Sequence, residues 1–221
     1  NYPLEITGMP FIFMNAAGTQ GDVTTMMHEG GHAMHTFLCN DEPLVQYRNT
    51  PSEMAETASM SMELMTSPYW DKFYNETDHI RARREHLEGI ITFFPWCATV
   101  DAMQHWVYLN PNHTPEERDN HFVSLTERFG SIVNWDGYEH FQRNGWQRQG
   151  HIFGVPFYYI EYGIAQLGAL QVYRNFVENN QTGLDGYIHG LKMGNSKPIS
   201  QIWENMGIKF DFSADTIKEL M

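Results

Sequence analysis

Cysteine is scarce in this 221-residue sequence: Cys39 and Cys97 are its two, and they follow no pairing pattern. That argues against a disulfide-built secreted scaffold and for free thiols in a reducing compartment, so the cytoplasm is the expected location. Positive charge is scarce as well. Lys and Arg number 14 against 27 Asp and Glu, giving a formal net charge of −13. Such a chain repels phosphate backbones and anionic lipid surfaces, and nucleic acid is not expected as a partner. No apolar run approaches the roughly 20 residues that a membrane span requires, and Asn1-Tyr2-Pro3-Leu4 lacks the basic start and apolar core of a secretory signal. No membrane association is expected. An initiating methionine is missing too, so the chain reads as a piece of a longer protein. What is present is a globular composition, 42% hydrophobic and 14% aromatic, sufficient for a sizeable core.

The stretch that organises the rest is Met26-Met27-His28-Glu29-Gly30-Gly31-His32-Ala33-Met34-His35. His28 and His32 stand four residues apart, which on a helix stacks both imidazoles on one face, where two ring nitrogens can converge on one metal ion. Glu29 projects about 100° round the helix from His28, a position suited to holding a water on the metal. Three positions alone also recur by chance on amphipathic helices, so the surroundings matter. Val23, Met26, Met27, Ala33, Met34, Phe37 and Leu38 predict a buried helix, and Asp22 its N-cap. Upstream, Pro10-Phe11-Ile12-Phe13-Met14-Asn15 predicts a short strand. Downstream, Pro51 to Met65 shows helical periodicity with Met54, Ala58, Ser61 and Met65 on an inward face. Glu56 lies 24 residues after His32, enough for a second helix to return a carboxylate to the two histidines. Two histidines and one glutamate leave the fourth zinc position open, which is the catalytic arrangement. Glu53, one turn earlier, is the fallback ligand, and Glu63 is placed to support the site.

His28 to His35 followed by Glu56-Thr57-Ala58-Ser59-Met60-Ser61-Met62-Glu63 resembles the oligoendopeptidase F and Pz-peptidase branch of the thimet oligopeptidase family, whose pattern is His-Glu-x-x-His-x-x-His and then Glu-x-x-Ser-x-x-x-Glu. The resemblance implies one zinc ion per chain, held by His28, His32 and Glu56, with Glu29 as general base and Glu63 behind the ligands. It also implies short peptide substrates.

Further along, Pro95 is expected to bend or divide an apolar helix, and Thr114-Pro115-Glu116-Glu117 to open another that ends near Gly130. Near the C-terminus Tyr158 and Tyr162 are four apart, with Pro156 expected to start their helix and His151 just before it. Aromatic residues at that spacing usually pack in a core, yet hydroxyl and imidazole donors could also stabilise an oxyanion. The same family carries a His-x-x-x-x-Pro-Phe-Tyr-x-x-x-Tyr pattern, which by resemblance assigns that role to His151, Tyr158 and Tyr162.

The expected architecture is mostly α, a multi-helix, zincin-like catalytic domain over residues 1–221 with one or two short strands beside the motif helix. The resemblance covers the catalytic, C-terminal part of the family and implies an N-terminal helical region that forms the other wall of a substrate channel. Two other readings remain: a zinc metallocarboxypeptidase, and a helical binding domain whose histidines are structural.

Overall fold

A computed structural model describes residues 7–130 and 133–220. In chain order its helices are α1 (Gln20–Cys39), α2 (Val45–Arg48), α3 (Ser52–Thr66), α4 (Glu76–Leu109), α5 (Pro115–Phe129), α6 (Glu139–Arg143), α7 (His151–Gly154), α8 (Ile160–Glu178), α9 (Asn180–Lys192), α10 (Ile199–Asn205) and α11 (Ala214–Leu220), with 3-10 turns at Ser67–Lys72 and Gly145–Arg148. The chain divides into two compact units, one taking residues through Arg84 and from Ile164 onward, the other Glu85–Gly163.

In the first unit α1 and α3 pack side by side, antiparallel. Gly31 makes the approach possible, because a Cβ there would meet Ser59 Cα at 2.6 Å and the Ala58 carbonyl oxygen at 2.9 Å. Met54, Ala58, Ser61 and Met65 face inward, as their periodicity predicts, and join Tyr187, Leu191, Trp203 and Met206 in the core. Each large apolar side chain buried there contributes roughly 1.5–3 kcal/mol. The Tyr187 hydroxyl donates to the Ala58 carbonyl at 2.8 Å, which ties α9 to α3. The second unit has its own core of Met103, Phe122, Leu125 and Trp146. Trp146 Nε1 donates to Asp119 at 3.0 Å, with the Arg118 guanidinium over its ring.

Five local expectations need correction. Pro10–Asn15 forms no strand: Phe11 makes an isolated bridge, and no described residue lies in a strand. A strand needs a ladder of backbone partners, and the apolar alternation here leaves Phe11 and Phe13 exposed. The cap of α1 is Thr19, with Asp22 at the third helical position, where its carboxylate accepts from Thr19 N at 2.6 Å in a capping box. That helix is also less buried than its apolar flanks suggest. Gly31, His35 and Cys39 are its buried residues, while Met26, Met34 and Phe37 are exposed, because α3 and α9 cover only one face. Helix α4 runs through Pro95 without a break. One lost hydrogen bond is outweighed by the next turns, whose Cys97, Val100 and Met103 are buried. Finally, Pro156 does not start a helix. It occupies the second position of a Val155–Tyr158 turn closed by a 3.1 Å backbone bond, Phe157 takes φ of 62°, and α8 begins at Ile160.

Candidate metal centre

On α1 the four-residue spacing brings the His28 and His32 rings edge to face, their centroids 4.8 Å apart. Antiparallel α3 lays Glu56 against both. Its Oε2 lies 3.3 Å from His28 Nε2 and 3.8 Å from His32 Nε2, and the three ligand atoms fall within 4.8 Å of one another. A tetrahedral ion with bonds of about 2.0–2.2 Å needs such atoms only slightly closer. Among the described residues this is the one such group of three or more. Glu53 is not in it.

The surrounding contacts fix the orientation of each ligand. His28 Nδ1–H donates to Glu63 Oε1 at 2.6 Å, which leaves Nε2 as the atom facing Glu56. Ser59 Oγ donates to Glu56 Oε2 at 3.2 Å. Burial pulls the His28 imidazole down, but the hydrogen bonds and charges of Glu56 and Glu63 outweigh it and push the group up to about 10. Burial dominates at His32 and holds it below its ordinary value. Burial would raise Glu56, yet the His28 hydrogen bond and both imidazoles keep its carboxyl below the usual range. The Glu29 carboxylate is close enough to His32 to act on it by charge. Borderline imidazole nitrogens, one hard carboxylate oxygen, partial burial and a carboxylate behind one histidine together suit zinc.

In the second unit His151, Tyr158 and Tyr162 also meet. The His151 ring stacks on Tyr158 at 6.0 Å and meets Tyr162 edge-on at 5.6 Å, with Tyr162 Oη 3.5 Å from His151 Nε2. The three rings meet although Tyr158 sits in the turn before α8 and not on it, so a shared helix face is not what brings Tyr158 and Tyr162 together. Tyr159 packs against the same imidazole at 5.1 Å, and burial raises its hydroxyl above the ordinary range.

Two contributors, Gly31 and Gln149, escaped the sequence reading, and a third, Ser59, stands in the motif with no role assigned to it. Ser59 orients Glu56, Gly31 sets the helix separation, and Gln149 donates to His151 Nδ1 at 2.6 Å. Ser59 stands one turn after Glu56, where a hydroxyl that returns to a ligand carboxylate could have been sought.

A body without strands among its described residues, in which two antiparallel helices gather two histidines and a glutamate, defines a helical protein of the His-Glu-x-x-His class. Residues 5–221 match the model of Peptidase family M3, and the chain belongs to that family. It is 28% identical over 200 residues to the oligoendopeptidase F homolog of Borreliella burgdorferi, a match covering 86% of this chain and 33% of that protein. Against the group B oligopeptidase PepB of Streptococcus agalactiae it is 24% identical over 193 residues, covering 84% and 31%. Among solved structures, PZ peptidase A with an inhibitor superposes with a TM-score of 0.90 at 32% identity over 99% of this chain and 39% of that one. These relatives fall in the oligoendopeptidase F and Pz-peptidase branch. The chain spans about a third of the length of the curated relatives it matches.

Proposed function

We propose that the chain is the catalytic part of a zinc-dependent oligoendopeptidase that hydrolyses internal bonds of short, unfolded peptides. The observation that carries this reading is the convergence of His28 Nε2, His32 and Glu56 on one point, with Glu63 fixing the far nitrogen of His28. These three side chains would hold one zinc ion, which when bound supplies a Lewis acid beside the attacking water and the scissile carbonyl. Glu29 takes a proton from that water as its oxygen bonds to the carbonyl carbon, then gives the proton to the departing amine as the C–N bond breaks. His151, Tyr158 and Tyr162 are assigned the hydrogen bonds that the carbonyl oxygen needs as it gains charge.

The family resemblance supplies the other wall of the substrate channel from an N-terminal helical region, and the chain spans about a third of the curated relatives' length. No described helix is long and apolar enough to cross a membrane. Cys39 and Cys97 are buried free thiols, which suits a reducing compartment, and we assign the protein to the cytoplasm.

The test is elemental analysis of protein purified without added metal, together with mass spectrometry of peptide digests. One zinc per chain, lost in His28→Ala and Glu56→Ala, and internal fragments of the substrate are expected. A ladder trimmed from the C-terminus would indicate a metallocarboxypeptidase instead. No zinc would return the histidines to a structural role in a binding domain.

A further inference from the structure

The geometry points to Gln149 as a positioning residue that fixes the hydrogen on His151 at Nε2, through a relay that begins at Trp96. This inference rests on the role assigned to His151 above, but its contacts all lie within the second unit.

Indole nitrogen can only donate. Trp96 Nε1 lies 3.0 Å from one end of the Gln149 side-chain amide, so that end must be the carbonyl oxygen, Oε1. The other end is then the NH₂ group, and it lies 2.6 Å from His151 Nδ1. An amide NH₂ has hydrogens and no lone pair to offer, so Nδ1 must accept. A neutral imidazole that accepts at Nδ1 carries its hydrogen at Nε2. That nitrogen faces the Tyr162 hydroxyl at 3.5 Å. Trp96 is held in turn by contact with the Phe122 ring and by the Arg148 guanidinium over its face. The indole thus orients the amide, the amide orients the imidazole, and His151 enters the reaction as a donor at Nε2. Without Gln149 either nitrogen could carry the hydrogen, and the neutral imidazoles with it on Nδ1 would present a lone pair where an oxyanion needs a donor.

Gln149→Glu tests this, because a carboxylate only accepts and so demands a hydrogen on Nδ1. The readout is the ¹⁵N spectrum of the histidine rings in the intact, zinc-loaded chain near neutral pH, with His151 assigned by the signal lost in His151→Gln. Wild type is expected to show Nδ1 unprotonated and Nε2 protonated. Gln149→Glu is expected to place a hydrogen on Nδ1 and to lower kcat about tenfold or more with little change in KM. Trp96→Phe keeps an aromatic ring but frees the amide to flip, and a mixture of the two ring forms is expected. A wild-type spectrum with a hydrogen on Nδ1 overturns the inference, whatever the variants do. If instead His151→Gln cleaves as fast as wild type, the catalytic assignment of His151 fails while the spectra still decide what Gln149 does.

Discussion

His28 Nδ1 lies 2.6 Å from Glu63 Oε1, and that one contact decides which nitrogen of His28 is available to a metal. An imidazole whose Nδ1–H is committed to a carboxylate presents Nε2, more electron-rich for having the carboxylate behind it. Removing the carboxylate should therefore weaken the site without touching a ligand. Glu63→Ala is expected to lower zinc affinity roughly 10–100-fold. Glu63→Gln, whose amide oxygen can still accept from Nδ1–H, should lose less. Competition with a chromophoric chelator measures both, and unchanged affinity in Glu63→Ala would remove Glu63 from the site.

The two glycines of the motif should respond in opposite ways. At Gly31 a methyl group would overlap Ser59 Cα and press on Met62 Cβ, 3.0 Å away, so α1 and α3 would have to separate. Overpacking of this kind costs about 1–3 kcal/mol. Gly31→Ala is expected to melt several degrees lower and to bind zinc more weakly, since the separation moves Glu56 away from the histidines. Gly30 has nothing within 4 Å of the equivalent position. Alanine there gains up to about 1 kcal/mol of helix propensity, so Gly30→Ala should melt at or above the wild-type temperature. Scanning calorimetry of the two variants side by side separates the cases.

How much could be read from the sequence follows from the range of each interaction. The His28, His32 and Glu56 grouping was legible, because a four-residue spacing and two adjacent amphipathic helices are local signals. The α5 start was legible for the same reason: Thr114 accepts from Glu117 N at 3.2 Å and Glu117 returns the bond, within four residues. What failed depended on partners that the local pattern does not contain. Phe11 and Phe13 alternate like a strand, yet a strand exists only if another segment pairs with it. Met26 and Phe37 are apolar on a helix whose cover reaches only one face. Phe157 takes a positive φ that nothing about phenylalanine announces. Its ring packs against His105 and Tyr108 at 5.1 and 4.9 Å, contacts from distant sequence that offset a backbone cost of about 1–2 kcal/mol.

Glu29 follows His28 and lies outside the candidate ligand group of His28, His32 and Glu56, and its proposed work is to carry a proton. Glu29→Gln preserves the shape of the side chain and removes its basicity. Zinc content should stay at the wild-type level while cleavage of a quenched peptide falls about 10²–10⁴-fold, the span that a general base contributes. Activity within a factor of a few of wild type would assign the proton transfer to another group. Loss of zinc would mean that Glu29 acts on the metal itself.

Acid should destabilise the metal-free chain through His35. This side chain is 4% exposed, its Nε2 has no hydrogen-bond partner, and burial together with the charge of His32 depresses the imidazole from 6.5 to about 4. The unfolded chain therefore binds a proton at His35 between pH 6.5 and about 4 that the folded chain refuses. Where the unfolded state holds more protons, stability rises with pH. The contribution of His35 is complete above pH 6.5 and is lost as pH falls towards 4, a total of roughly 3 kcal/mol. His32, also depressed, acts in the same direction. His28 opposes this slope near and above pH 6.5, because its imidazole, raised to about 10, stays charged in the folded chain while the unfolded chain releases the proton; well below 6.5 both states are charged and His28 drops out. Urea denaturation in the presence of a chelator, repeated at half-unit steps from about pH 6 to 4, where His28 no longer opposes, should show the midpoint falling with acid. His35→Gln keeps an amide donor and removes the titration, so its midpoint should fall distinctly less. Parallel curves for the two proteins would show that His35 is not the buried group responsible.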